Sequence, residues 1–165
     1  MMTPTAAAAQ CVQYVFQFDG LEFATRLHFG AYRADDLGAV SIRCSDGDLI
    51  TMTEPAAIVA RMTGEALSVE VHEGSGTAAV THPMGSMVTF WTLDASQPRF
   101  AGLLELPQAR GLALTSDSAR FLVSHGATTE LIEVDAFRRE YLQDRRLSQT
   151  FLSGSHLFNW QRLTS

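Results

Sequence analysis

Residues 67–94, LSVEVHEGSGTAAVTHPMGSMVTFWTLD, contain three short runs of strand-forming residues separated by turn residues. A similar pattern returns in residues 111–135, GLALTSDSARFLVSHGATTELIEVD. His82 and His125 end the second run of each copy and are 43 positions apart. A repeat of about 40–45 residues is typical of a four-stranded propeller blade. The pattern therefore predicts an all-β fold made of blade-like repeats.

A third, shorter copy lies upstream in residues 39–55, where AVSIR is followed by LITMTEP. Its Glu54 corresponds to His82 at an offset of 28 positions, and the copy is predicted to lack its outer strand. We therefore expect one all-β domain over residues 1–165, with about three propeller-type blades that form a partial or open propeller. The expected blades are residues 38–62, 67–106 and 111–147.

Short apolar runs between turn residues predict the individual strands. The charged segment 138–146 is predicted as the outer strand of the last blade, because charged residues protect an exposed sheet edge from pairing. The alternative for this segment is a short helix that pairs Phe137 with Tyr141. The other predicted strands lie near residues 39–43, 48–53, 57–61, 67–72, 77–82, 87–93, 100–105, 111–115, 120–125, 129–134 and 149–159.

The N-terminal residues 12–29 carry a separate hairpin signal. Apolar and polar residues alternate before and after Asp19-Gly20, a dipeptide that favours a two-residue hairpin turn. Such a turn pairs Phe18 with Leu21 and Phe16 with Phe23, so that the apolar residues of both strands share one face. The sequence leaves open whether this hairpin joins the same stack of sheets or completes a blade with residues 149–160.

Composition and charge exclude several classes of function. The chain has 165 residues, 12 Lys+Arg against 18 Asp+Glu, and a formal charge of −6. The absence of a basic cluster disfavours nucleic-acid binding, because phosphate contacts need Lys and Arg. No secretory signal and no apolar run of a membrane span's length is present, so we expect a soluble protein, cytoplasmic by default. Cys11 and Cys44 form no CxxC pair that would indicate a zinc site.

Three polar residues, Glu54, His82 and His125, occupy one equivalent position of the repeat. Two histidines and a carboxylate are a known facial ligand set for a metal. Neighbouring sheets, however, pack about 10 Å apart, whereas bonds to a single ion are about 2.0–2.2 Å long. Contact with a larger ligand across one rim, or capping of loops, are the remaining interpretations. These residues are our candidate ligand-binding set, and we assign no catalytic residue, metal or cofactor.

Other motifs favour structural roles. Gly74-Ser75-Gly76 lacks the lysine of a phosphate-binding loop and is predicted as a glycine turn. Ser153 and His156 bring a hydroxyl near an imidazole, but the strand-to-helix elbow of a serine hydrolase is missing. Trp91 is predicted to pack in the core, since aromatic residues in strands usually do.

From about Thr77 to Asp135 the chain resembles a family of bacterial β-propellers of unassigned function that look like quinoprotein or WD-type propellers. The likeness rests on AAVTHPMGSMVTFW (78–91), GLA (111–113) and FLVSHG (121–126). It implies a seven-bladed propeller, exported to the periplasm and often encoded beside imelysin-type iron-uptake proteins, of which this chain is the C-terminal portion. The family's Ser-Pro-Arg is His-Pro-Met in this chain, so no functional residue is transferred.

These observations predict a non-enzymatic binding or scaffold module, either a partial propeller or the C-terminal part of one. Full closure of a propeller takes about 4–8 blades. Fewer blades leave open strand edges, which favour a protein partner or self-association. The alternative is a propeller enzyme of the lactonase or quinoprotein type, acting on a small molecule at the channel mouth. A third alternative is a remnant of a truncated gene.

Overall fold

The strands of this protein are short and follow one another along the chain with little helix between them. The computed structural model describes residues 10–18, 21–29, 40–44, 50–93, 98–126, 131–147 and 157. A one-turn helix, α1 (Ala56–Val59), and a 3-10 turn, Glu73–Ser75, interrupt the strands. The strands are β1 (Gln10–Phe18), β2 (Leu21–Phe29), β3 (Val40–Cys44), β4 (Ile50–Thr51), β5 (Ser68–His72), β6 (Thr77–His82), β7 (Met87–Thr92), β8 (Arg99–Glu105), β9 (Ala109–Leu114), β10 (Arg120–His125), β11 (Leu131–Asp135) and β12 (Tyr141–Leu147).

The strands form three four-stranded antiparallel sheets, each with its strands in chain order. Sheet I consists of β1–β4, sheet II of β5–β8 and sheet III of β9–β12. The predicted all-β class is confirmed, and the strand runs of the second and third repeats correspond to sheets II and III. Within the described part of the chain, each sheet keeps two edge strands, so the three sheets do not close into a ring. No helix in that part is long and apolar enough to cross a membrane.

The N-terminal hairpin is part of sheet I. Its predicted register is confirmed, because Phe16 pairs with Phe23 and Phe18 with Leu21. The second strand of the hairpin then pairs with β3, from Leu21 opposite Cys44 to Thr25 opposite Val40. The first sheet therefore begins with the hairpin, whereas the repeat pattern had placed the start of the first blade near residue 38.

The strand predicted near residues 57–61 is wrong, since this segment forms α1 and the turn after it. An apolar run as short as this one suits a strand or a helix turn equally well, and local polar groups decide between them. The Glu54 carboxylate accepts a hydrogen bond from the Ala56 N–H (3.0 Å), which satisfies one of the free donors at the start of the helix. The strand predicted near residues 149–159 lies outside the described residues, except for Leu157.

The charged segment after β11 forms an edge strand. Within the described ranges, β12 pairs with β11 on one side only and is an end of sheet III, as the charge pattern predicted. The alternative helix, which would have paired Phe137 with Tyr141, is not formed.

Sheet II lies between two apolar layers. The layer between sheets I and II, called layer I–II, contains Val40, Ile42, Met52, Met62, Ala66, Val71, Ala78, Val80, Met87, Trp91 and Leu93. The layer between sheets II and III, called layer II–III, contains Ala79, Val88, Phe90, Leu106, Ala109, Leu112, Leu114, Phe121, Val123, Ile132, Val134 and Ala136. Side chains alternate between the two faces of a strand, so β6 and β7 supply residues to both layers.

Contacts of Arg61 and Met62 hold the connection from sheet I to sheet II in place. The Arg61 guanidinium forms two hydrogen bonds of 2.7 Å to the carboxylate of Glu105, at the end of β8. The neighbouring Met62 is fully buried in layer I–II. The Arg61 carbonyl oxygen lies so close to Gly85, in the β6–β7 turn, that a Cβ atom there would clash with it.

We expect Gly85→Ala to destabilise the protein by about 1–3 kcal/mol, because the added Cβ meets backbone that can move only with the whole connection. Gly126→Ala is the matched control, since its Cβ would meet the flexible side chain of Gln108. We expect it to cost less than about 1 kcal/mol. Urea unfolding of both variants measures the difference, and equal losses would contradict the close packing at Gly85.

Trp91→Ala is expected to lower the free energy of unfolding by about 3–5 kcal/mol. The Trp91 side chain is fully buried, and its ring lies edge-on to Phe100 with centroids 5.6 Å apart. Met84→Ala is the control, because Met84 is 49% exposed, and we expect it to change stability by less than about 1 kcal/mol. A loss of similar size in both variants would show that layer I–II does not contain Trp91.

Candidate functional site

Glu54, the first of the three candidate residues, is exposed and lies between β4 and α1. Its carboxylate accepts the hydrogen bond from Ala56 N–H described above. A carboxylate at this position stabilises the start of a helix, because it satisfies a free N–H donor. Glu54 is thus exposed and has a local structural role at the start of α1.

His82, the second candidate, is fully buried at the end of β6. It shares a face of the strand with Val80, whose side chain lies in layer I–II. Its Nε2 atom lies 2.9 Å from the Thr89 hydroxyl, which also accepts a hydrogen bond of 2.8 Å from the Trp91 indole N–H. Burial lowers the pKa of the imidazole to about 3, because the charged form loses its hydration. His82 is therefore neutral at physiological pH.

His125, the third candidate, is half-buried at the end of β10. Alternation along β10 places it on the face that carries Phe121 and Val123, toward sheet II. His82, at the equivalent position of the preceding repeat, faces sheet I instead. The two histidines thus face different layers, and of the three candidates only Glu54 is exposed.

The structure does not bring the three candidates to one surface. His82 has no exposed area, so a ligand reaches its imidazole only if sheets I and II separate. In the described part of the chain, no group of three His, Cys, Asp or Glu side chains could hold a metal ion.

The glycine turn predicted at Gly74-Ser75-Gly76 is confirmed. It forms a 3-10 turn between β5 and β6, and Gly76 adopts a left-handed backbone conformation with φ of +56°. The buried His72 holds this turn, because its Nδ1 accepts a hydrogen bond from the Ser75 N–H and lies 2.7 Å from the Ser75 hydroxyl. Both contacts use the same ring nitrogen, so His72 caps the start of the 3-10 turn.

Sequence patterns missed an open groove that residues of sheets I and II line together. Residues 50–55 form one wall and residues 98–100 the other, and the groove, called the edge groove, encloses about 460 Å³. Its apolar lining includes Ile50, Met52 and Phe100. β4 is the last strand of sheet I and β8 the last strand of sheet II, so both walls are edge strands.

The edge groove also carries charge of both signs. Glu54 lies on one wall and Arg99 on the other, and both side chains are exposed. The Glu54 carboxylate already accepts the helix N–H, whereas the Arg99 guanidinium makes no ion pair with any residue that the structure describes. Arg99 is therefore a cation at the rim of an apolar groove, where an anionic group could bind it.

Comparisons with known proteins give little guidance on function. No family model matches the sequence, and no curated protein matches it. Among solved structures, the chain is similar to the crystal structure of a functionally unknown protein from Desulfotomaculum acetoxidans DSM 771, with 8% sequence identity and a TM-score of 0.49. The similarity covers 81% of this chain and 51% of that one, so the chain spans about half the length of that structure.

The stability of the protein is expected to fall as the pH is lowered from 6.5 toward 3, because of His82. The unfolded chain binds a proton at the ordinary histidine pKa near 6.5, whereas the folded chain binds it only near pH 3. The contribution of His82 is thus fully present above pH 6.5 and is lost as the pH falls. At pH 4.5 we expect a loss of about 2–3 kcal/mol from this residue.

Urea unfolding of the wild type and His82→Leu at pH 7 and pH 4.5 measures this contribution. The leucine variant keeps the hydrogen bond from Trp91 to Thr89 and should lose less stability between the two pH values, by the same amount. An equal loss in both proteins would show that His82 is accessible to protons in the folded state.

Proposed function

We propose that this chain is a non-enzymatic binding or scaffold module of the β-propeller type, related to the bacterial propellers that its sequence resembles. The observation that supports this most is the stack of three consecutive four-stranded sheets, joined by two apolar layers. Propeller blades have the same strand number, chain order and face-to-face packing. Three blades are fewer than a closed propeller needs, so the module is a partial propeller or part of a larger one.

Contacts across the layers support a single stacked unit. The Thr81 hydroxyl of β6 donates a 2.6 Å hydrogen bond to the Arg110 carbonyl of β9, which joins sheet II to sheet III. Phe90 of sheet II and Phe121 of sheet III have ring centroids 6.1 Å apart. A hydrogen bond between sheets helps to fix their relative position, because it forms only when the two strands are correctly aligned.

The binding role is supported by the sheet edges. Among the strands that the structure describes, β4, β8 and β12 each pair with a neighbour on one side only. An unpaired strand edge offers backbone donors and acceptors to another chain. We therefore propose that this module engages a protein partner, or a further copy of itself, through these edges.

Light scattering on a size-exclusion column, together with a thermal melt and elemental analysis of the same sample, tests this proposal. We expect one cooperative transition, because the two layers join all three sheets, and substoichiometric metal. A melt in separate steps would contradict a single stacked module. Close to one tightly bound metal ion per chain, or hydrolysis of lactones above the buffer blank, would instead support the enzymatic alternative. The measured mass separates a monomer, which needs another protein as partner, from a self-associating chain.

A further inference from the structure

Among the described residues, β4 pairs only with β3, and both of its residues line the edge groove. The Met52 N–H donates a 2.8 Å hydrogen bond to the Val40 carbonyl, toward β3. Backbone groups alternate in direction along a strand, so the N–H and C=O of the preceding Thr51 point away from β3. The Thr51 side chain is occupied within the sheet, because its hydroxyl lies 3.0 Å from that of Ser41. The free groups at this edge are thus those that an added strand would bind.

The side chains around this edge favour an apolar residue and an anion in the added strand. Ile50 is 47% exposed, one of the three large apolar side chains with such exposure among the described residues. Phe100 and Pro98 lie across the groove from it, with Arg99 between them in sequence. Burying apolar area contributes about 25 cal/mol per Å². A carboxylate bound to Arg99 adds a charge-assisted hydrogen bond.

A second copy of this chain is a poor occupant of the edge. Each copy carries a formal charge of −6, and two such chains repel each other. A second copy would also bring its own Glu54 to a groove that already has one exposed carboxylate.

We propose that the edge groove binds an extended segment of another protein, which adds to β4 as a further strand. The segment places an apolar side chain against Ile50 and Phe100 and a carboxylate on Arg99. Strand addition of this kind takes its affinity from backbone hydrogen bonds and its specificity from alternate side chains. The inference rests on the proposed function as a binding module and names the chemical class of its partner.

A library of random peptides displayed on phage, selected on the immobilised full chain, is the probe for this surface. We expect enrichment of peptides that alternate apolar and polar residues and carry Asp or Glu. An enriched peptide is then synthesised, and its affinity is measured by fluorescence polarisation for the wild type and for variants of the groove.

Three variants separate the parts of the site. Ile50→Lys removes the apolar contact, and Arg99→Glu reverses the charge. Thr51→Pro removes the outward N–H and keeps the backbone bonds of sheet I, since proline is tolerated at a sheet edge, although it also removes the hydroxyl that contacts Ser41. Each should weaken binding by about tenfold or more. Met84→Lys changes an exposed apolar side chain outside the groove and should keep the affinity within about twofold.

Exchanging the charges of the peptide and of residue 99 gives the sharpest test. A gain of affinity in the exchanged pair cannot result from a variant that has unfolded. A peptide with its acidic residue changed to Lys should lose affinity for the wild type and regain it for Arg99→Glu. Thermal melts confirm that each variant is folded.

Three results would overturn the inference. The first is that no peptide is enriched, and the second is that Ile50→Lys and Arg99→Glu bind as tightly as the wild type. The third is a wild-type dimer that Ile50→Lys converts to a monomer, which would make a second copy the occupant. The cooperative melt and the metal content, which test the proposed module, do not depend on any of these results.

Discussion

The burial of β6 on both of its faces is the constraint on which the rest of the structure depends. All six residues of this strand, Thr77–His82, are buried. Ala78 and Val80 face sheet I, whereas Ala79 faces sheet III. A strand of this kind is stable only when a sheet covers each side, so the central sheet needs both of its neighbours. The small side chains of the two alanines let the neighbouring sheets approach closely.

The polar residues of β6 show how a doubly buried strand accommodates hydrogen-bonding groups. Thr81 donates to a backbone carbonyl of the next sheet, so its hydroxyl is satisfied across layer II–III. The Nε2 atom of His82 lies within hydrogen-bond distance of the Thr89 hydroxyl of its own sheet, whereas its buried Nδ1 has no hydrogen-bond partner in the described part of the chain, and the ring remains neutral. The histidine that the repeat pattern offered as a ligand is thus part of the packing. Its expected effect is a pH dependence of the free energy of unfolding.

The edge groove lies where this double burial ends. Sheets I and II share layer I–II, whereas Ile50 of β4 and Arg99 at the start of β8 are exposed and line the groove. On the same connection, the ion pair of Arg61 with Glu105 joins the segment after α1 to the far end of β8. This pair is exposed, and it lowers the pKa of the Glu105 carboxyl through the hydrogen bond from Arg61. One wall of the groove therefore belongs to sheet I and the other wall to sheet II.

The sequence by itself determined the strands and the hairpin register, because side-chain alternation and turn residues act between neighbours in the chain. It did not determine the helix turn after Glu54, since a short apolar run suits either conformation until a local cap decides. Only the tertiary structure placed the hairpin in sheet I, buried His82 and formed the edge groove from two segments distant in sequence. The physical reason is that burial depends on which sheets cover the two faces of a strand, and the pattern of a single strand does not specify its neighbours.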